Sequence, residues 1–351
     1  MSLRSMLVGL PVLFLTLTAQ TAAPPAPPVA APQSPQEAAP ATTVPAAVGP
    51  LAAAINSQGQ AGSDKAALKR QLIRAQVLLD RQQFSPGVID GATGSNMRRA
   101  VAAFQTSAGL PVTSTLDAAT WERLVATSPA PVIRGYVIAA EDVAGPFAAP
   151  VTPGDYAQMA SRPSMTWTSV TESIAERAHM DEALLLAMNP GVDFAKVGTA
   201  IIVTDTAREP LPGVASLVVD KARKQLRAMD DAGKVVAVYP ATIGSSERPA
   251  PTGNYSVRTV APAPNYTFDP RRLTFKAKGG KSEKLTIQPG PNNPVGSTWI
   301  DLSLDTYGIH GTPDPRLIGK TASHGCVRLT NWDAATLAKA VQAGTKVRIT
   351  A

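Results

Sequence analysis

A chain of 351 residues with a single cysteine, Cys326, has no internal disulfide to hold it together. Its stability has to come from packed apolar cores, and the length is enough for two or three of them. Residues 1–23 carry one basic residue, Arg4, then an apolar run from Met6 to Leu17 and a small, polar end. That pattern predicts a secretory signal peptide, with a retained signal anchor as the alternative. No cysteine follows the run, so attachment to lipid through one is excluded. No later stretch approaches the ~18 uninterrupted apolar residues of a membrane span. The expectation is an exported protein of the periplasm or cell wall, without a transmembrane segment in the mature chain. The formal net charge is +7. A basic surface suits an anionic polymer such as the cell wall, or nucleic acid. No arginine-rich run or aromatic-interleaved basic face is present, and export argues against nucleic acid.

Composition and periodicity divide the rest. Residues 24–63 are rich in Pro and Ala with almost no charge, and predict a disordered linker. Residues 64–127 predict a small three-helix unit. Leu68, Leu72, Ala75, Leu78 and Leu79 recur at helical spacing, a second helix covers 98–108 with Ala100, Val101 and Phe104, and a third starts near Asp117 with Trp121 and Leu124 inward. Residues 128–210 open as a further Pro/Ala-rich stretch. Helices then cover 169–177 and 181–188, with an Asn189-Pro190-Gly191 turn and a strand at 200–203. The residues by themselves read as a packing adaptor, with His179 a surface or capping residue. Residues 211–351 are strand-rich: Leu217–Asp220, Lys224–Arg227, Val235–Tyr239, Leu285–Ile287 and Trp299–Leu302. A helix over Asn331–Ala343, closed by Gly344, precedes a last strand at Lys346–Ile349. Residues 269–284 carry six basic side chains around Gly279-Gly280 and read as a solvated insertion or as a lid.

The chemistry concentrates near the end of the chain. His310-Gly311-Thr312 is followed by Ser323-His324-Gly325-Cys326-Val327-Arg328, which puts two of the three histidines within sixteen positions of the cysteine. A free thiol, with pKa about 8.5, is mostly protonated near neutral pH. A neighbouring imidazole can take the proton and hold the thiolate as an ion pair, the smallest unit for acyl transfer. Gly325 lets the backbone turn sharply and aim N–H groups at an oxyanion. Two other readings stay open. A lone cysteine is often a small buried hydrophobe. One sulfur and two imidazoles fall one ligand short of a closed zinc site but would fit an open one.

The HGT and SHGCVR stretches, with Tyr239-Pro240-Ala241-Thr242-Ile243-Gly244 and Pro251-Thr252-Gly253 upstream, resemble the signature of the L,D-transpeptidase (YkuD-type) catalytic domain. Ile89-Asp90-Gly91, Ala100–Gln105 and Gly109-Leu110-Pro111 resemble the helical peptidoglycan-binding domain, and residues 128–210 loosely resemble a lysin-motif module. The resemblance implies a multidomain α+β protein with a mainly β, sandwich-like catalytic domain. It implies Cys326 as nucleophile and His310 as proton donor and acceptor, the Gly311 carbonyl orienting the imidazole. His324, Gly325 and Cys326 would form the turn that supplies oxyanion donors, with Ser323 bracing it. Arg328 and Tyr307 would meet substrate. The implied activity forms a cysteine thioester with a peptidoglycan stem tetrapeptide, releases D-alanine, and passes the acyl group to an amine to give 3-3 cross-links. Water as acceptor would give a carboxypeptidase, and an outer-membrane lipoprotein as acceptor an anchoring enzyme; a non-catalytic wall-binding protein is the remaining alternative. No metal or organic cofactor is implied.

Overall fold

The computed structural model describes residues 49–244, 249–272, 283–321 and 325–351. The expected signal peptide, most of the expected linker, the centre of the basic insertion, Ser323 and His324 lie outside the described residues.

Part of the expected linker is folded. Pro50–Asn56 forms a helix (α1) with Pro50 at its first turn and Ala52 and Ile55 fully buried on one face. The Asn56 carboxamide accepts from the Val132 and Ile133 N–H groups and donates to Ile133 O. A helix of two turns needs only a pair of apolar residues three apart, which Pro/Ala-rich composition conceals. Then comes Lys65–Arg81 (α2), where the Asp64 carboxylate accepts from the Ala66 and Ala67 N–H groups. Its Leu72, Leu78 and Leu79 face inward, whereas Leu68 stays exposed. Ser95–Ser107 (α3) and Ala118–Val125 (α4) complete the helical unit, α4 capped by Asp117. Phe84 meets Phe104 edge to face, centroids 6.0 Å apart.

The middle segment contains a strand the composition hid, Ile133–Val137 (β1). Short helices Ala140–Ala144 (α5) and Tyr156–Ala160 (α6) follow. Val170–Arg177 (α7) is capped by Ser169, and Glu182–Met188 (α8) by Asp181. Ala200–Thr204 (β2) then pairs antiparallel with β1, Ile133 opposite Thr204 and Val137 opposite Ala200. Leu72, Phe104 and Leu124 of the helical unit share one continuous core with Ile174, Leu185, Ile201 and Val203. His179 corrects the expectation of a surface residue. Its side chain is 12% exposed, bonded through Nδ1 to Asp80 at 3.0 Å, and stacked on Trp332. It has positive φ, 55°, in the turn between α7 and α8.

The last segment builds a nine-stranded sheet folded as a sandwich. Its strands are Ser216–Asp220 (β3), Gln225–Met229 (β4), Val235–Pro240 (β5), Thr242–Ile243 (β6) and Gly253–Pro262 (β7). After a separate hairpin of Tyr266–Phe268 (β8) and Leu285–Ile287 (β9) come Thr298–Leu302 (β10), Gly308–His310 (β11) and Val327–Arg328 (β12). Asn331–Ala340 (α9) and Lys346–Thr350 (β13) end it. The order is β5-β4-β3-β13-β7-β10-β11-β12-β6. The ten-residue β7 ties the two halves, pairing with β13 along its first part and β10 along its second. Leu217, Val219, Leu226, Ile300, Ile309, Leu337 and Val347 fill the core between sheet and α9. The helix stops at Ala340 rather than Ala343 because Val341 is extended and turns into the core.

Candidate active site

Strands β11 and β12 run parallel, Ile309 opposite Val327 and His310 opposite Arg328. A parallel pair needs a crossover, and residues 311–326 supply it. Cys326 lies in the bend just ahead of β12, two residues before Arg328, which is the register partner of His310. Cys326 is partly exposed, its Sγ lying 3.7 Å from Thr306 O. Gly325 before it has φ +118°, and a Cβ there would meet Tyr307 Cε1 at 2.8 Å. The Tyr307 ring therefore rests on the turn that presents the sulfur, and only glycine fits beneath it.

His310 is 3% exposed and its Nδ1 lies 2.7 Å from Gly311 O. A carbonyl only accepts, so Nδ1 carries the hydrogen and the neutral ring keeps its lone pair on Nε2. The ring also stacks on Trp299, centroids 5.4 Å apart. That close fit leaves no room for a side chain at Gly308, where a Cβ would sit 2.4 Å from Trp299. Burial holds the His310 pKa down to about 3. The Arg328 charge acts in the same direction, and the Gly311 and Val295 backbones oppose them. Burial pushes the Cys326 thiol up, opposed by a backbone hydrogen bond from Gly308 and by Arg328. Both pushes favour the neutral thiol and the neutral imidazole over their charged forms. The ion pair anticipated from residue types is disfavoured by enclosure, which penalises both charges.

Arg328 acts on four titratable groups around the site. Its charge reaches His310, Cys326, Tyr156 and Tyr266, and its buried Nε has no hydrogen-bond partner among the described residues. The two tyrosines are residues that sequence reasoning missed. Tyr266 begins β8, and burial, then Tyr156 and Cys326, push its hydroxyl up to about 12. Tyr156 comes from α6, stacks on Phe268 with centroids 4.0 Å apart, and lies 6.2 Å from Tyr266. Met165, Phe268 and Ile287 form a small core beneath them. No local motif marks either tyrosine, because a segment more than a hundred residues from the cysteine supplies one of them. Of the basic insertion, Arg271 and Lys284 pair with Asp269.

Behind His310, the Thr312 N–H donates to Asn331 Oδ1 at 3.0 Å, and a Cβ on Gly311 would meet the same oxygen at 2.1 Å. Asn331 opens α9 and is 3% exposed. Among the described residues, no three His, Cys, Asp or Glu side chains converge to hold a metal ion.

Residues 215–349 match the family model "L,D-transpeptidase catalytic domain" (YkuD), and residues 63–124 match "Putative peptidoglycan binding domain". The chain is 31% identical over 181 residues to "Putative L,D-transpeptidase YkuD" of Bacillus licheniformis, covering 51% of this chain and 92% of that one. It is 33% identical over 147 residues to "Putative L,D-transpeptidase YqjB" of Bacillus subtilis, covering 40% of this chain and 74% of that one. An L,D-transpeptidase from Mycobacterium smegmatis superposes on 44% of this chain and 74% of its own, at 18% identity and a TM-score of 0.33. The nine-stranded sheet, the matched segments and the extent of the Bacillus similarity make one conclusion: this chain belongs to the L,D-transpeptidase family, with a YkuD catalytic domain behind an N-terminal peptidoglycan-binding domain.

Proposed function

We propose that the protein is an exported peptidoglycan L,D-transpeptidase whose nucleophile is Cys326 and whose base is His310. The observation that carries this is the His310 Nδ1 hydrogen bond to Gly311 O, which leaves the neutral ring its acceptor on Nε2, at a residue whose register partner, Arg328, follows Cys326 by two positions. The pair is neutral at rest, so the thiol loses its proton to Nε2 as sulfur attacks the carbonyl of the third stem residue. The tetrahedral intermediate collapses with loss of the bond to the terminal D-alanine, whose amine takes the proton back from the imidazolium. A thioester remains. An amine from a second stem attacks it, gives its proton to His310, and leaves a 3-3 cross-link and the free thiol.

In this scheme the N–H groups of His324, Gly325 and Cys326 would receive the oxyanion, with Ser323 bracing them. Arg328 is the group suited to a carboxylate of the stem peptide, since a partly buried guanidinium whose Nε has no partner among the described residues gains most from a bidentate anion. Tyr307 lies against Gly325, Tyr266 is close enough to Cys326 and Tyr156 to Arg328 for their charges to act, so all three would border the bound stem peptide. The helical unit at 64–127 would hold glycan strands. The β1–β2 pair enclosing α7 and α8 supports reading residues 128–210 as a lysin-motif-like module beside it.

Incubating the mature protein with stem tetrapeptides and weighing the products tests the whole scheme. Cross-linked dimer with a transient adduct on Cys326 is the expected result. Tripeptide alone would make the acceptor water, and a lipopeptide product would make it a lipoprotein lysine. Cross-linking that survives Cys326→Ala would remove the nucleophile assignment.

A further inference from the structure

The middle segment lies between the two family matches, which end at 124 and resume at 215, yet it grips the backbone that orients His310. The Gly311–Thr312 peptide is a single rigid plane. Its carbonyl accepts from His310 Nδ1 at 2.7 Å, and its N–H donates to Asn331 Oδ1 at 3.0 Å. Fixing the N–H therefore fixes the carbonyl, and with it the tautomer and tilt of the ring. Asn331 Oδ1 accepts a second time, from Ser297 N–H at 3.2 Å.

The Asn331 amide is held the right way round by its other end. Nδ2 donates to Glu176 Oε1 at 2.8 Å and to Pro291 O at 3.1 Å. Glu176 belongs to α7 of the middle segment, and its second oxygen accepts from Trp167 Nε1 at 3.3 Å. Without Glu176 one of the two acceptors on Nδ2 is lost, and the amide is then held by Pro291 O and by the Thr312 and Ser297 N–H groups alone, which fixes its tilt less firmly. One turn earlier on the same helix, Glu172 Oε1 accepts from Asn292 Nδ2 at 2.8 Å. Met165 exchanges backbone bonds with Pro289 and Asn292, both at 2.9 Å. These contacts seat residues 289–297, the loop whose Val295 backbone lies against the His310 ring. The fit is tight at both ends of the loop. A Cβ on Gly290 would come within 2.1 Å of Met165 O, and one on Gly296 within 2.1 Å of Asn331 Oδ1.

We propose that Glu176 is a positioning residue for His310, acting through Asn331 and the Gly311–Thr312 peptide, so that the middle segment is a working part of the transpeptidase. The inference rests on His310 being the base. It assigns to α7 the task that an acidic third residue performs directly in other nucleophile–histidine sites, exerted here through an amide and a peptide plane.

The test compares full-length mature wild type with Glu176→Ala and Glu176→Gln, with donor tetrapeptide as substrate. Rates are divided by the fraction of Cys326 that titrates as native thiol, and melting is followed in parallel. Gln keeps an oxygen for Asn331 Nδ2, and Ala does not. The expected result is that Ala lowers the per-site kcat at least about tenfold with KM within about threefold, while Gln retains about half of wild type or more. Should Glu176→Ala unfold, Glu176→Met fills the volume without an oxygen acceptor and carries the same comparison. A per-site kcat within about twofold of wild type in the Ala or Met variant overturns the proposal, since the defect would then be one of folding alone. A Gln variant as slow as Ala overturns it too. His310→Ala separates the two levels. If that variant acylates like wild type, the base assignment itself fails; if it is inactive while the Glu176 variants are normal, only the positioning role fails.

Discussion

The indole of Trp332 lies flat on the imidazole of His179, centroids 4.9 Å apart and planes 9° from parallel. Trp332 belongs to α9 of the catalytic domain and His179 to the turn after α7, so this stack joins the two. The same imidazole bonds Asp80 of α2, which brings the helical unit into the junction. Arg208 completes it. Its guanidinium reaches Asp80 Oδ1 at 3.3 Å, the Thr336 hydroxyl at 2.9 Å and Asp333 Oδ1 at 3.8 Å, and Ser85 donates to Asp333 Oδ2 at 2.8 Å. Asp80 and Asp333 are both 0% exposed. Two enclosed carboxylates thus share one arginine between three parts of the chain.

Arg208→Met removes the cation and leaves both carboxylates enclosed. Breaking a buried pair in this way costs about 3–5 kcal/mol. The loss, read from urea unfolding midpoints, should be greatest at pH 8 and smaller at pH 5. Burial already raises Asp333 to about 6, so its folded-state value lies above that of the unfolded chain. A group of that kind stabilises below its unfolded pKa and ceases to do so as pH rises through the folded one. Protonation at pH 5 therefore relieves the variant. An equal deficit at both pH values would mean that the carboxylates escape to solvent when Arg208 is gone.

Gly325→Ala should leave melting within a few degrees of wild type and slow acylation by at least about tenfold. The new methyl group would require a left-handed φ and meet the Tyr307 ring at 2.8 Å, shifting the turn that presents Cys326. The check is the rate of adduct formation by mass spectrometry with folding followed in parallel. An unaltered rate would show that the turn has slack to absorb the group.

What the residues alone disclosed divides along a physical line. Strands such as β3, β5 and β13, and helix starts at Asp117, Ser169 and Asp181, carry their signal within a few neighbours, as β-branched runs or capping side chains. Cys326 and His310 draw attention in the sequence because acyl-transfer chemistry asks for those residue types together. The rest depends on contacts distant in sequence. Helix α1 is stable because Ile55 finds a core, and β1 exists because β2 arrives sixty residues later. Tyr156 and Glu176 reach the site only through packing. The neutral resting state of the thiol and imidazole was equally hidden, because burial is no property of a motif.

That neutral state predicts how Cys326 should react. With the thiol raised above its ordinary value and His310 held near 3, lowering the pH from 7 to 5 finds no thiolate to protonate. Alkylation by iodoacetamide should climb about tenfold per pH unit from 6 to 8 and keep rising towards pH 9. A plateau between pH 5 and 7 would instead report a thiolate stabilised as an ion pair, and would contradict the enclosure of His310.

Glu176 gives a prediction about stability that is separate from rate. Burial raises its carboxyl from 4.5 to about 7, against the hydrogen bonds from Asn331 and Trp167, with Glu172 adding to the rise. Between those two values the folded chain holds a proton that the unfolded chain has released. The carboxyl therefore contributes stability that is complete below about pH 4.5 and disappears as pH rises through 7. Glu176→Gln lacks this dependence and keeps the acceptor for Asn331. Relative to wild type, the Gln variant should gain stability between pH 4.5 and pH 8, by at most about 3 kcal/mol. Paired urea titrations at the two pH values measure the gain. A difference that stays flat would mean that Glu176 ionises as it would in water, and that the contact between α7 and Asn331 opens freely to solvent.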